Sequence, residues 1–169
     1  MAEGSGVKRV YVVDTSYLLE LYQVPGHFEK KAHRVIIDRW AHAESDGASF
    51  HVTVGCILEL GNHIADVDDG RRRCELAGRL HRDAANSVAD KIPWLIAPAE
   101  DVASLPGLLE AFRTEWVQQQ LGLVDAQVIE HARRLAKSYT GLGYCIHIWT
   151  KDGRLKPYEP HREGGAFVG

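Results

Sequence analysis

Short runs rich in β-branched and aromatic residues alternate along this chain with longer stretches of helical character, and that alternation decides the fold class. Lys8 to Val13, Ala48 to Val54, Trp94 to Ala97 and Tyr144 to Trp149 read as strands. Between them Thr15 to Tyr22, Phe28 to Glu44, Cys56 to Val67, Arg71 to Asp90, Leu108 to Gln120 and Asp125 to Tyr139 read as helices; in the last, Val128, Ala132, Leu135 and Tyr139 recur at helical spacing. Turn-forming pairs such as Pro25-Gly26, Asp46-Gly47, Asp69-Gly70 and Pro106-Gly107 separate the elements. A helix between each strand and the next makes crossover connections, and serial crossovers build a parallel sheet with both faces covered. The expected fold is α/β: three layers, α/β/α, around a largely parallel sheet of four to five strands. The two helices between the second and third strands exceed a minimal crossover, so part of that segment is expected to project as an arm or lid. The stretch 155–169, with Pro157, Pro160 and Gly164-Gly165, reads as irregular.

A chain of 169 residues, 45% of them hydrophobic, suits a single domain spanning 1–169 with a real core. Residues 1–6 read as a polar, flexible leader, and no apolar run approaches the ~20 residues of a membrane span. A cytoplasmic protein with no membrane partner is expected. Cys56, Cys74 and Cys145 are far apart and form no C-x-x-C pair, which speaks against a disulfide framework or a thiolate zinc site and leaves reduced core thiols. The net charge of −3 gives no global attraction for nucleic acid, so any polyanion must be met locally.

In a parallel α/β sheet the strands all end at one edge, and each helix that follows or feeds a strand starts there. Asp14 closes the first strand, Glu59 lies in the first turns after the second, Asp125 opens the helix leading into the fourth, and Asp152 directly follows the fourth. All four are therefore expected in one crevice at the carboxyl edge, where such folds bind ligands. Carboxylates gathered at a few Å repel one another unless positive charge sits among them. A hard divalent cation, Mg2+ or Mn2+, prefers oxygen ligands and is held by one or two carboxylates, waters and substrate phosphate. Such an ion lowers the pKa of a bound water and offsets charge on a phosphodiester, so phosphodiester hydrolysis is the implied chemistry.

The motifs V-V-D-T-S (Val12 to Ser16), I-L-E-L (Ile57 to Leu60), L-V-D-A-Q-V-I (Leu123 to Ile129) and T-K-D (Thr150 to Asp152) carry a resemblance. In their order and spacing the chain resembles the PIN-domain nucleases, including the VapC-type toxins, over about Lys8 to Asp152. The resemblance implies a PIN-like fold, a metal-dependent endoribonuclease acting on RNA, and Asp14, Glu59, Asp125 and Asp152 as its catalytic, metal-binding acids. Ser16 and Thr150 would supply hydroxyls that order that shell. For a VapC-type toxin it further implies a cognate antitoxin protein and a homodimer.

Plainer roles exist for each residue. Asp14 also fits a strand-end acid capping the helix at Thr15, Asp125 a first-turn acid favoured by the helix dipole, and Asp152 an ordinary Lys-Asp-Gly turn. Glu59 interrupts an apolar stretch, where a carboxylate needs a partner; a salt bridge to arginine would serve. Asn62, three residues on, shares its helix face and could orient it. Arg71, Arg72 and Arg73, and Lys151, Arg154 and Lys156 beside the expected site, are the basic groups placed to meet RNA phosphates, although basic runs are also ordinary solvated faces. His63, His131 and His147 have no metal-ligand spacing and read as structural or surface groups. Two rival functions remain in view. One is an aspartyl-phosphate phosphatase with Asp14 as nucleophile; it is disfavoured because Ser16 stands where haloacid-dehalogenase-like enzymes carry a second Asp. The other is a PIN-like binding or scaffold protein that does not cut.

Overall fold

The strand-forming runs pair into one parallel sheet in a computed structural model that describes residues 6–98 and 101–169. Strands β1 (Lys8–Val13), β2 (Ser49–Thr53), β3 (Leu95–Ala97) and β4 (Tyr144–Trp149) lie in the order β3-β2-β1-β4, and every pairing is parallel. Central β1 is covered on both faces, which is why Val10 to Val13 form a continuous apolar run rather than an alternating one. Val12 sits opposite His51 on one side and Ile148 on the other. Among the described residues there is no fifth strand. The leader expected over 1–6 lies, apart from Gly6, outside the described residues.

Six helices connect these strands: α1 (Thr15–Leu21), α2 (Lys30–Ser45), α3 (Val54–Ala65), α4 (Gly70–Asp90), α5 (Leu105–Ala111) and α6 (Leu123–Ser138). The expected three layers are present. Helix α2 covers one face, where Trp40 stacks on Phe50 with ring centroids 3.9 Å apart, and Phe50 in turn packs with Tyr11 and Trp149. Helix α6 covers the other, where His131 lies 3.0 Å from the buried His51. His147, also buried, bonds to the His161 carbonyl, and His63 packs beside His27. The three histidines singled out in the sequence are thus packed groups. Among the described residues no helix is long and apolar enough to cross a membrane.

Several boundaries differ from the sequence-based expectation. Helix α2 starts at Lys30 rather than Phe28, because the Glu29 N–H donates to the Glu20 carboxylate at 3.1 Å and Glu29 stays extended. The helix expected over Leu108 to Gln120 instead begins at Leu105 and widens into a π turn at Phe112–Trp116, which accompanies full burial of Trp116. The segment between β2 and β3 does not project as an arm. Helix α4 lies against the end of α1: Arg79 donates to the Leu21 carbonyl at 3.0 Å and stands 4.1 Å from the Tyr22 ring centroid, while the Tyr22 hydroxyl donates to Asp83. Of the three free thiols only Cys56 is a core group; Cys74 is exposed and Cys145 half-buried, since they occupy outer positions of α4 and of edge strand β4.

The stretch after β4 is irregular, as expected, apart from one 3-10 turn at Lys156–Tyr158, but it has a definite place. It runs along the outer edge of β4. The Lys156 ammonium donates to the Ile148 carbonyl at 2.9 Å and the Glu159 carboxylate accepts from the Ile148 N–H at 3.2 Å. One step further along, the His161 N–H donates to the Ile146 carbonyl and the His161 ring nitrogen accepts from the Ile146 N–H. Side chains thus satisfy strand-edge groups that a neighbouring strand would otherwise take.

Candidate functional site

The chain runs outward from β1 to β2 to β3 and then returns across the sheet to β4, so the order reverses between β1 and β4. At such a reversal the connecting segments diverge from the carboxyl ends of two adjacent strands and leave a crevice. Asp14 follows β1 and Thr150 to Asp152 follow β4; the Asp14 N–H donates to the Trp149 carbonyl at 2.9 Å, continuing the ladder into the site.

Asp14 is buried, and its Oδ2 accepts from the Ser16 hydroxyl at 2.7 Å, the Thr150 hydroxyl at 2.9 Å and the Ser16 N–H at 3.3 Å. The last of these is the helix cap anticipated as the plainer role. Burial raises the pKa of Asp14 above its usual value, and the hydroxyl donors pull it part of the way back. The Ser16 and Thr150 hydroxyls, which the resemblance implied as ordering groups, thus both lie on the Asp14 carboxylate. The Ser16 hydroxyl oxygen also accepts from the Lys151 N–H at 2.9 Å, and the Thr150 oxygen from the Asp152 N–H at 2.9 Å.

Asp125, third residue of α6 rather than its opening one, accepts from the Gly122 N–H at 2.7 Å. Its pKa is pushed up to about 6, first by burial and then by the charges of Asp14, Asp152 and Glu59, against the lowering effect of the Gly122 bond. Cys56 reports the same neighbourhood from inside the core: burial first, then the charges of Asp14 and Glu59, push its thiol up to about 12. Helices α3 and α6 approach at Gly55, where a Cβ would lie 2.0 Å from the Gln127 side-chain oxygen. The four acids are thus electrostatic neighbours at one edge of the sheet.

Glu59 is half-buried and receives the Thr15 hydroxyl at 2.5 Å. The expected helper Asn62 is exposed and makes no side-chain hydrogen bond among the described residues; Thr15, read only as the first residue of a helix, takes that role because α1 and α3 both start at this edge. Asp152 at the rim is held by Arg154 through its N–H at 2.8 Å and two guanidinium contacts of 3.1 and 2.8 Å, which lower its pKa.

The basic residues are mostly engaged elsewhere. Lys151 bonds to Glu20 at 2.6 Å, Lys156 to Glu159 and Glu163, Arg72 to the Tyr22 carbonyl and Arg73 to the Val67 carbonyl. Arg71, its side chain 89% exposed, pairs with Glu75 on its own helix. Among the described residues Arg154 is the one cation paired with any of the four acids. Two cavities, of about 740 and 490 Å³, lie under the stretch after β4 rather than among the acids, although Thr150 lines the second.

The donors gathered at this edge are all oxygens, which suits a hard divalent cation and not a thiolate- or imidazole-loving one. Among the described residues no three His, Cys, Asp or Glu side chains form a ready cage. An ion held by one or two carboxylates and completed by water and substrate oxygens would need no such cage. No protein-family model and no curated protein matches the chain.

Proposed function

We propose that the chain is a PIN-like, Mg2+- or Mn2+-dependent endoribonuclease that hydrolyses RNA phosphodiesters in the crevice of Asp14, Glu59, Asp125 and Asp152. The observation that carries this reading is geometric: Asp14, its carboxylate ordered by Ser16 and Thr150, shares the sheet edge with Glu59, Asp125 and Asp152. Asp125, its pKa raised to about 6 first by burial and then by the charges of the other three, has no salt-bridge partner among the described residues. A site whose acids served only the fold would relieve that repulsion with paired cations; here Arg154, paired with Asp152 and more weakly attracted to Asp125, is the one cation paired with any of the four acids among the described residues.

One or two of Asp14, Glu59 and Asp125 would hold the ion, with water and substrate oxygens completing its shell and Asp152 at the margin. When bound, the ion supplies a more acidic water and offsets charge on the phosphodiester. The protein's own residues do the positioning. Ser16 and Thr150 fix the plane of the Asp14 carboxylate by donating to one oxygen, and Thr15 fixes Glu59. The Gly122 N–H holds Asp125 toward the crevice mouth. Arg154, exposed beside Asp152, is the nearest group able to meet an RNA phosphate, at the cost of loosening its pair. An aspartyl-phosphate reaction at Asp14 is disfavoured by its burial and by the two hydroxyls already on Oδ2.

The test is metal-dependent cleavage of mixed RNA by the purified chain, with Asp14→Asn and Asp125→Asn as controls of unchanged circular dichroism. Cleavage in the parent and its loss in both variants is expected. Retained cleavage in both would refute the assignment, and a parent that binds RNA without cutting it would favour the scaffold alternative.

A further inference from the structure

Glu20 stands outside the set of acids described above, yet it is the most completely buried carboxylate near them, at 0% exposure on the inner side of α1. A buried charge is tolerated only with partners. Glu20 has two: the Lys151 ammonium at 2.6 Å and the Glu29 N–H at 3.1 Å. It thereby ties α1 to the start of α2 and to the turn after β4.

That turn is the part of the crevice with the most dependent contacts. The Lys151 N–H donates to the Ser16 hydroxyl, which donates to Asp14; Thr150 donates to Asp14 and accepts from the Asp152 N–H. Two of these bonds, from the Lys151 N–H to Ser16 and from Thr150 to Asp14, require Thr150 and Lys151 to lie against the first turn of α1. Strand β4 ends at Trp149, so pairing with β1 does not itself fix the three residues beyond it. They are tied to α1 by the bonds of Thr150 to Asp14 and of the Lys151 N–H to Ser16, and the side-chain bridge from Lys151 to Glu20 adds a charged tie one helical turn further along α1.

Buried ion pairs rarely add stability over an apolar pair of similar volume, and where they persist they can fix one arrangement among several. We infer that Glu20, acting through Lys151, is a positioning residue: it seats the Thr150–Asp152 turn on α1 and so sets Asp14 and Asp152 in the crevice. For its bearing on catalysis this rests on the metal-nuclease reading; for its bearing on the turn it does not. It also assigns Lys151 to the architecture of the site rather than to RNA phosphates.

The experiment replaces the pair with apolar residues, Glu20→Leu with Lys151→Met, and compares it with the parent and with Glu20→Gln. Three quantities are read: melting temperature, amide hydrogen exchange at Lys151 and Asp152 by NMR, and the Mn2+ dependence of RNA cleavage. The double variant should melt at or above the parent, because no buried charge is left unpaired. The Lys151 amide, bonded to Ser16 across the contact, should nonetheless lose protection relative to the Asp152 amide, which is bonded within the turn, and half-saturating Mn2+ should rise roughly tenfold, as for other residues that orient metal ligands. A merely structural pair would move the melt and not the other two. Unchanged amide protection in the folded double variant overturns the inference; if that variant does not fold, unchanged protection in Glu20→Gln overturns it equally. Lost protection with an unaltered Mn2+ response overturns the link to the crevice. A parent that never cleaves RNA removes the nuclease reading while the exchange data still decide whether Glu20 seats the turn.

Discussion

Glu20 and Glu59 look alike in sequence and differ in the folded protein. Each interrupts an apolar helical run, Leu18-Leu19-Glu20-Leu21 in α1 and Ile57-Leu58-Glu59-Leu60 in α3. Glu20 is sealed and holds a lysine; Glu59 is half-buried and, among the described residues, holds only the Thr15 hydroxyl. A carboxylate given a cation is neutralised where it stands, and its use is architectural. One given only a hydroxyl has no cation beside it, adds to the repulsion felt by Asp125, and remains available to something positive from outside.

The sharpest way to break this contrast is to remove the partner from one and the charge from the other. Lys151→Met strands the Glu20 charge and should cost about 3 kcal/mol in urea unfolding, at the low end for a buried pair because Lys151 is itself 24% exposed. Glu59→Gln should leave metal-free stability at or above the parent's while abolishing cleavage. Equal stability losses in the two would end the distinction. Next in size is the response to metal: Mn2+ at roughly a hundred times its dissociation constant should stabilise the parent by about 2.7 kcal/mol, and Glu59→Gln or Asp125→Asn should lose most of that gain. A parent melt unmoved by millimolar Mn2+ would mean that no ion binds without substrate.

Thr15→Val, which deletes the donor on Glu59, should cost about 1 kcal/mol and slow cleavage, whereas Asn62→Ala should do neither. An inactive Asn62→Ala would restore the role first assigned to that side chain. The smallest effect concerns pH. Asp125 has its folded pKa raised from 3.8 to about 6, so the folded state favours the protonated form. Its contribution to metal-free stability is complete below the lower value and is lost as pH rises through the upper one. Asp125→Asn should flatten that slope, and at neutral pH without metal it should melt at or above the parent. A lower melt would show that the bond to the Gly122 N–H outweighs the repulsion.

Much of this site was legible because it follows from element order. Once strands and helices alternate, Asp14, Glu59, Asp125 and Asp152 must come to one edge, whatever the boundaries of each element. What escaped depends on side-chain reach. Glu20 met the same criterion as Glu59, a carboxylate among leucines, and was passed over because nothing in the linear chain brings Lys151 beside it. Thr15 was hidden by its plain role as a helix start. The π turn at Phe112–Trp116 inserts a widened turn that periodicity over Leu108 to Gln120 does not register. The packing of α4 on α1 rests on Arg79, Tyr22 and Asp83, polar groups that read as surface until the helix is docked.

The stretch that lines the outside of β4 bears on how copies of this protein could meet. Sheets commonly join molecules by adding strand to strand, and an open parallel edge invites it. Here a visiting strand would first have to displace Lys156, Glu159 and His161 from Ile146 and Ile148, giving up four protein hydrogen bonds before forming its own. Strand addition at β4 therefore carries a built-in barrier, and of the two sheet edges only the three-residue β3 is without this covering among the described residues.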